Sequence, residues 1–186
     1  MYFGYDIDEK IVKLSAEVEN ELGSIFADYD ALCLRNSAKV LKAFQDNRLA
    51  ATDFAEVTGY GIYDSGREKL EKVYAQIFGA EDALVRPQIM SGTHALALTF
   101  FALLKHGETL LSISGRPYDS LQTIIGLVGE SRNSLLANGI KYEEIDLKNN
   151  NFDKDAIVAR LKKGGVKVVE IQRSRGYSQR KSLSIA

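Results

Sequence analysis

The sequence predicts an α/β protein in which a helical N-terminal arm precedes a mainly parallel sheet. In about the first 55 positions, apolar residues recur at steps of three and four, the period of an amphipathic helix. From Ala83 onward, short strand-like runs alternate with helical stretches roughly every 25 to 30 residues, which is typical of βαβ units. The 186 residues are 45% hydrophobic and 26% charged, as in ordinary globular chains.

The arm is expected to contain two helices. One apolar face would be formed by Ile7, Ile11, Leu14, Val18, Leu22 and Ile25. A second periodic run holds Tyr29, Leu32, Cys33, Val40, Leu41 and Phe44. Asp6 or Asp8 would cap the start, because a carboxylate there accepts hydrogen bonds from free backbone amides. After a glycine-rich break, a third helix with apolar positions between Leu70 and Phe78 is expected to end at Gly79.

The second part of the chain alternates strands and helices. Four runs favour strands: Ala83–Arg86, Thr109–Ile113, Lys141–Ile145 and Val166–Ile171. Helices are expected between them, at Thr93–Lys105, Tyr118–Val128 and Phe152–Lys162. The segment Ser91–Leu104 contains one potentially charged side chain, His94, so it predicts a helix buried against the sheet. At 14 residues this segment is too short to span a bilayer.

Charge and cysteine content exclude several classes of partner. With 24 basic and 25 acidic residues, the chain carries a formal charge of −1 and has no field that would gather nucleic acid or acidic lipid. The single cysteine, Cys33, suits a reducing cytosol and is expected to be a buried apolar residue. Charged residues between Asp6 and Glu21 indicate that no signal peptide is present. We therefore expect a cytoplasmic protein without membrane or nucleic-acid partners.

Three loops at predicted strand ends are candidate binding segments, because ligands bind at the carboxyl ends of parallel strands. The first contains Ser91, Gly92 and Thr93, where a strand end opens into a helix. Small residues there let backbone N–H groups approach an anion, which the helix dipole also favours. The alternative is simple helix capping by Ser91 or Thr93.

The second and third loops carry aromatic and basic side chains. Tyr118 would lie over a planar ligand or, alternatively, pack over the edge of the sheet. The segment from Gln172 to Lys181 holds four cations and no acid. Such a run is usually a solvated face, but this one follows an apolar strand. Arg173 or Arg175 is therefore a candidate for binding a carboxylate or phosphate through its fork of N–H donors.

Other chemical motifs are missing. The pair Gly59-x-Gly61 lacks the third glycine of the dinucleotide fingerprint and follows no predicted strand. The sequence contains no phosphate loop ending in Gly-Lys-Ser/Thr, no HExxH and no CxxC. His94 and His106 stand alone, and His94 would either face a ligand or be a satisfied core histidine. No metal site is predicted.

Four segments, in this order, resemble one family: Thr58–Glu71, Gly79–Ala95, Arg116–Ser120 and Ile171–Tyr177. The family is the methionine gamma-lyase-like group often labelled aluminium-resistance proteins, which are distant relatives of cystathionine lyases. The resemblance covers nearly the whole chain from about Thr52 onward. It implies a fold-type-I enzyme that depends on pyridoxal 5′-phosphate (PLP) and acts on an amino acid.

The resemblance also implies roles for individual residues. The cofactor-binding residues would be Ser91, Gly92, Thr93, Tyr118, Gln172 and Ser174. Among these, Ser91 to Thr93 would hold the phosphate, Tyr118 would stack on the pyridine ring, and Gln172 and Ser174 would lie near the ring hydroxyl or substrate. Residues reaching the phosphate of a neighbouring subunit would be Tyr60, Tyr63 and Arg67. A homo-oligomer, dimer or tetramer, is therefore implied.

PLP chemistry needs a Schiff-base lysine and, in this fold type, an acid facing the pyridinium nitrogen. In the family both lie further along than this chain extends. None of the eight lysines from Lys105 onward follows a small-residue strand end, so no catalytic residue is predicted here. We expect a helical arm over residues 1–57 and a partial PLP-binding large domain over 58–186, inactive alone. In such a domain, Ala83–Arg86 would pair with strands from later sequence.

Three hypotheses for the function follow. The leading one is the N-terminal portion of a PLP-dependent carbon–sulfur lyase that acts on a sulfur-containing amino acid by elimination. The alternative is a stand-alone, non-catalytic α/β module that binds a cofactor or a partner, which the missing lysine and acid would favour. A Rossmann-like nucleotide binder is disfavoured, because the glycine fingerprint is absent.

Overall fold

The computed structural model describes residues 4–58, 64–129 and 131–184. It divides into two compact units, Met1–Arg86 and Pro87–Ala186. The first unit is helical and the second contains a parallel sheet, which confirms the predicted α/β class. The division between residues 57 and 58 into arm and partial domain stays a prediction.

The first unit is built on one long helix, α1 (Glu9–Asp46). The prediction of two helices here was wrong, because the chain from Ile7 to Phe44 contains no proline, and its one glycine, Gly23, costs only about 1 kcal/mol in a helix. Asp8 caps α1 as predicted: its side chain accepts a hydrogen bond from the Lys10 amide at 2.8 Å. At 1.5 Å per residue, α1 is roughly 57 Å long.

A second helix, α2 (Ser65–Phe78), is anchored to the turn that follows α1. The turn is a 3₁₀ helix at Ala51–Phe54, and its Asp53 carboxylate accepts hydrogen bonds from Lys69 Nζ at 2.7 Å and Ser65 Oγ at 2.9 Å. A side chain at Gly66 would collide with the Asp53 carbonyl, so the close approach of these elements requires glycine. The helix ends at Gly79 (φ +65°), as predicted.

The second unit holds three parallel strands in the order β2-β1-β3. They are β1 (Thr109–Ser112), β2 (Lys141–Glu144) and β3 (Val166–Glu170). Its helices are α3 (Gly92–Leu103), α4 (Asp119–Ile125) and α5 (Lys154–Lys162), with a further 3₁₀ turn at Leu136–Asn138. These positions confirm the predicted strands after residue 100 and the three helices, with ends that differ by a few residues.

The core of the second unit lies between the central strand and two helices. Leu110 and Leu111 of β1 are fully buried, whereas β2 and β3, the outer strands of the described sheet, carry half-buried and exposed residues. The buried cluster consists of Phe100, Leu104, Leu110, Leu121, Ile125, Leu135 and Ile140. It packs α3 and α4 against one face of β1.

Two local expectations were wrong, and a third is untested. The run Ala83–Arg86, whose partner strands are expected in later sequence, pairs with no strand in the described chain, so its pairing stays a prediction. Its Val85 amide donates to the Glu71 carboxylate at 3.0 Å, and Arg86 forms an ion pair with the same group. Helix α3 is not buried all round, since Leu98 and Phe101 lie on an open face. Cys33 is exposed, because its turn of α1 has solvent on that side.

Among the described residues, none of the helices combines the length and the apolar character needed to cross a membrane.

Candidate functional site

The candidate site lies in the second unit, at the carboxyl ends of the strands. Because β1 and β3 are parallel neighbours, the segments that follow them emerge side by side. The segment after β1 carries Tyr118, and the segment after β3 carries Gln172 and Ser174. The start of α3 joins them through Thr93, whose hydroxyl lies 3.2 Å from the Tyr118 hydroxyl.

In the first turn of α3, one backbone amide is capped by a side chain and two others are free among the described residues. Ser91 Oγ accepts a hydrogen bond from the His94 amide at 3.1 Å, which confirms the capping alternative for Ser91. Within the described part of the chain, the amides of Gly92 and Thr93 have no hydrogen-bond acceptor. A methyl group at Gly92 would meet no atom within 4 Å. The turn therefore offers free N–H donors in open space, while the anion site itself stays a prediction.

Tyr118 is held by hydrogen bonds at both ends. Its hydroxyl pairs with Thr93 Oγ1, which in turn lies 2.9 Å from Ser120 Oγ. Its backbone N–H donates to Gln172 Oε1 at 2.8 Å. The Tyr118 ring thus lies between the start of α3 and the segment after β3. Tyr118 thereby links its own loop directly to the other two predicted loops.

Gln172 uses its polar atoms within the protein. Its backbone N–H donates to Ser114 Oγ at 2.8 Å and its side-chain Nε2 donates to the Ser174 carbonyl at 3.1 Å. Arg180 donates from one terminal nitrogen to the carbonyls of Gln172 and Ser174, at 2.7 and 2.6 Å. The segment after β3 is therefore folded around the Arg180 guanidinium.

The two arginines singled out from the sequence are both exposed but differ in surroundings. Arg173 Nε donates to the Leu183 carbonyl at 3.2 Å, so it supports the backbone of its own segment. Arg175 lines a cleft with Arg116 and Arg180, and its guanidinium has no hydrogen-bond partner among the described residues. Of the two, Arg175 is better placed to contact a ligand.

Two clefts flank Tyr118. One, of about 510 Å³, is lined by the segments after all three strands, including Gly115, Asp146 and Gln172. The other, of about 850 Å³, is lined by Tyr118, Ser120, Ser174 and Tyr177, with neighbouring backbone. Since Tyr118 lines both clefts, its position controls the shape of each.

A carboxyl group lies beneath this site. Ser112 Oγ is 2.6 Å from Glu170 Oε2 and 2.7 Å from the Gly115 carbonyl. Burial raises the pKa of Glu170 despite the hydrogen bond from Ser112 and the charge of Arg180, which both lower it. Burial and the adjacent Glu144 carboxylate also raise the pKa of Tyr142, whose hydroxyl donates to Glu144 at 2.7 Å. At these two positions burial disfavours the charged form of the side chain.

Not every predicted site residue is brought together. Tyr60 and Tyr63 lie outside the described residues. Arg67 belongs to the first unit, where its Nε pairs with Asp64 Oδ2 at 2.9 Å. In the described chain no group of three metal-ligating side chains is found. The neighbouring-subunit role of these three residues therefore stays a prediction.

Sequence reasoning missed Ser120, Arg180 and the Ser112–Glu170 pair. Arg180 was present in the basic run but was not distinguished from its neighbours, because sequence alone does not show which cation turns back toward backbone carbonyls. Glu170 ends an apolar strand at an inward position. A charged residue at such a position is a signal that could have singled it out.

Known proteins match this chain over nearly its whole length. The family model described as methionine gamma-lyase matches residues 11–186. Protein YnbB of Bacillus subtilis (strain 168) is 41% identical over 180 residues, which cover 96% of this chain and 42% of that protein.

Solved structures agree. An aluminum-resistance protein from Clostridium acetobutylicum superposes with a TM-score of 0.91 at 41% identity, covering 96% of this chain and 43% of that one. A carbon–sulfur lyase involved in aluminum resistance from Clostridium novyi NT gives a TM-score of 0.89 at 38% identity, with coverages of 96% and 43%. The chain thus spans about two fifths of the length of these relatives. It belongs to the methionine gamma-lyase family.

Proposed function

We propose that this chain supplies the phosphate-binding and ring-stacking part of the site of a PLP-dependent carbon–sulfur lyase that acts on a sulfur-containing amino acid by elimination. The observation that carries the proposal is the open first turn of α3 beside the anchored ring of Tyr118. These features lie together at the strand ends, where α/β folds bind ligands. The names of the relatives support the same class of reaction.

The donors at this place fit a phosphate ester. The free amides of Gly92 and Thr93 point out of a helix start, whose dipole favours a negative charge. The Thr93 and Ser120 hydroxyls add two further donors next to them. The first turn of α3 itself contains no acidic side chain, whereas Asp119 at the start of α4 lines both clefts.

Each residue would have a distinct task. Gly92 and Thr93 would bind the phosphate through their N–H groups, while the Tyr118 ring would cover one face of the planar heterocycle. Ser174 and Arg175 line the adjoining clefts and would contact the ring substituents or the substrate carboxylate. When bound, PLP accepts electrons from the substrate and so allows a thiol to leave.

The oligomeric part of the proposal concerns the first unit. Arg67, together with Tyr60 and Tyr63, would reach the phosphate bound by a neighbouring copy of the chain. The support is the order of the family segments in the sequence, in which this stretch precedes the phosphate-binding segment. A homo-oligomer would then complete each site.

The test compares two substitutions at Gly92. Gly92→Asp places a carboxylate beside the bound phosphate and is expected to weaken PLP binding roughly ten-fold or more. Gly92→Ala is the matched control, because a methyl group there meets no atom within 4 Å. An aspartate at a helix start does not weaken the helix, so a change in affinity would report on the anion. Equal PLP affinities of wild type and Gly92→Asp would contradict the proposal.

A second measurement tests whether this chain carries a catalytic lysine of its own. PLP is added to the purified chain, the mixture is reduced with borohydride, and mass spectrometry locates any phosphopyridoxyl-lysine. We expect reversible binding without a stoichiometric adduct at one lysine. A single adduct together with thiol release from an amino acid would show that this chain carries its own catalytic lysine.

A further inference from the structure

Gln172 joins both ends of the segment that carries Tyr118. It lies two residues beyond the end of β3, where its backbone N–H donates to Ser114 Oγ and its Oε1 accepts the Tyr118 N–H, both at 2.8 Å. Ser114 is the second residue after β1, and Tyr118 immediately precedes α4. One residue of the neighbouring strand end therefore holds the whole turn between β1 and α4.

The orientation of the Gln172 amide is fixed by the chemistry of its partners. A backbone N–H can only donate, so the atom facing Tyr118 must be the oxygen. The Ser174 carbonyl can only accept, so the atom facing it, at 3.1 Å, must be the nitrogen. Each end of the amide thus has a partner within the protein. This gives Gln172 a structural task, and its contact with a cofactor ring stays a prediction.

Arg180 anchors the backbone of Gln172 through hydrogen bonds. One terminal nitrogen donates to the carbonyls of Gln172 and Ser174, and the other donates to the Lys181 carbonyl at 3.0 Å. A charged donor shared by several carbonyls makes stronger bonds than a neutral one. Arg180 forms no hydrogen bond with Tyr118 among the described residues, and its hydrogen-bonded link to that residue runs through Gln172.

We propose that Gln172 and Arg180 are positioning residues that set the placement of Tyr118. Gln172 fixes the Tyr118 backbone, Thr93 fixes its hydroxyl, and Arg180 keeps Gln172 in its place. With both ends held, the ring stays between the two clefts that it lines. The hydrogen-bonded arrangement stands by itself, whereas its use in stacking a planar ligand rests on the proposed function.

The first test measures amide hydrogen exchange over residues 116–121 in the intact chain. The Tyr118 amide is expected to be protected in the wild type. Gln172→Leu removes the acceptor, so exchange at Tyr118 should rise about five-fold, the value of a typical hydrogen bond. Gln172→Glu keeps an oxygen acceptor at that place and should restore most of the protection.

Two further variants serve as comparison and control. Arg180→Lys keeps the positive charge but lacks the fork that reaches several carbonyls, so it should raise exchange at Tyr118 by less than Gln172→Leu. Gln179→Leu makes the same replacement in the same segment. The Gln179 side chain forms no hydrogen bond within the described residues, so this variant should leave Tyr118 unchanged.

The outcomes decide the proposal in every case. A Tyr118 amide that exchanges freely in the wild type, or one equally affected by Gln172→Leu and Gln179→Leu, would overturn it. If Gln172→Leu loosened the whole second unit, the proposal would be decided by two other measurements. These are the protection of the Tyr118 amide in the wild type and the exchange of that amide in Arg180→Lys.

A titration with PLP provides a second readout, in which recovery by Gln172→Glu tests the oxygen acceptor itself. Gln172→Leu should weaken PLP binding, and Gln172→Glu should recover part of it, while Gln179→Leu should match the wild type. If PLP binds none of these proteins although exchange changes as expected, the proposed function fails and the positioning of Tyr118 stands. If PLP binds all of them equally, Gln172 does not position Tyr118 for this ligand.

Discussion

Among the described residues of the first unit the buried apolar side chains are Ala43, Val73 and Ala75, whereas the second unit buries a continuous cluster that includes Phe100 and Leu110. The apolar stripe of α1 is as regular as any in the chain, yet Ile11 and Leu14 are 61% and 60% exposed. Helical period decides which side chains share a face. Whether that face is buried depends on a second layer of structure packed against it. In the described chain, α3 and α4 form such a layer against β1, whereas the face of α1 that carries Ile11 and Leu14 is exposed.

The largest expected effect tests the core of the second unit. Leu110→Ala removes a fully buried side chain from the central strand and should lower the free energy of unfolding by about 2–5 kcal/mol. The matched change in α1 is Leu34→Ala, at a side chain that is 72% exposed, and it should cost under about 0.5 kcal/mol. Urea unfolding followed by circular dichroism measures both. Equal losses would mean that α1 is packed in solution.

A glycine pair sharpens the same contrast. Gly126 ends α4 at φ +98°, and an added Cβ would lie 2.5 Å from Ser134 Oγ, so Gly126→Ala should destabilise the fold by about 1–2 kcal/mol or more. Gly23 lies within α1 with no atom near its Cβ position. Gly23→Ala should stabilise by roughly 0.5–1 kcal/mol. Thermal melting of both variants gives the comparison, and a loss at position 23 would contradict an open α1.

The two units should also respond to pH with opposite signs. Burial raises the pKa of Glu170, so its contribution to stability is fully present below the ordinary glutamate value of 4.5 and is lost as pH rises through the raised value. The Lys69 ammonium and the Ala50 amide lower the pKa of Asp53, so its contribution is present above 3.8 and is lost as pH falls.

Unfolding at a series of pH values checks this difference. Glu170→Gln should remove the decline of stability on the alkaline side, and Asp53→Asn should reduce the loss on the acidic side. If Glu170→Gln left the decline of stability at alkaline pH unchanged, burial of the Glu170 carboxyl beside Ser112 would not be its cause.

The smallest effect concerns the surface of α1. Cys33 is exposed, so a thiol reagent should modify it in the folded chain at a rate close to that of a free thiol. Folding should be unaffected, because the side chain is exposed and, among the described residues, forms a hydrogen bond with Ser37 alone, at 3.9 Å. Comparison with the urea-unfolded chain supplies the control. Strong protection in the native protein would show that another copy or partner covers this face.

Local chemistry determined much of the architecture. Asp8 and Ser91 cap helices because their oxygens accept backbone amides, and Gly79 ends α2 because it adopts a left-handed conformation. The three strands after residue 100 follow from short apolar runs bounded by turns. The four family segments, in their order, also led to the correct family. Such motifs are recognised from the identity and spacing of residues, which can be read without knowing any tertiary contact.

Pairing between distant segments could not be obtained in this way. The sequence did not show that the Val85 amide would bond the Glu71 side chain, nor that Arg180 would turn back onto the carbonyls of Gln172 and Ser174. Each outcome depends on which backbone groups other segments leave free. That information is spread over the fold and is absent from local period and composition.

By itself, the sequence determined the α/β class, the family and the candidate residues Ser91, Thr93 and Tyr118. Only the tertiary structure decided how they meet: the order β2-β1-β3 brings the segments after β1 and β3 together, so that Gln172 reaches the Tyr118 amide. The physical reason is that local patterns fix helices, strands and caps within a few residues. The choice of neighbouring strand is made by hydrogen bonds and burial across 54 residues of chain.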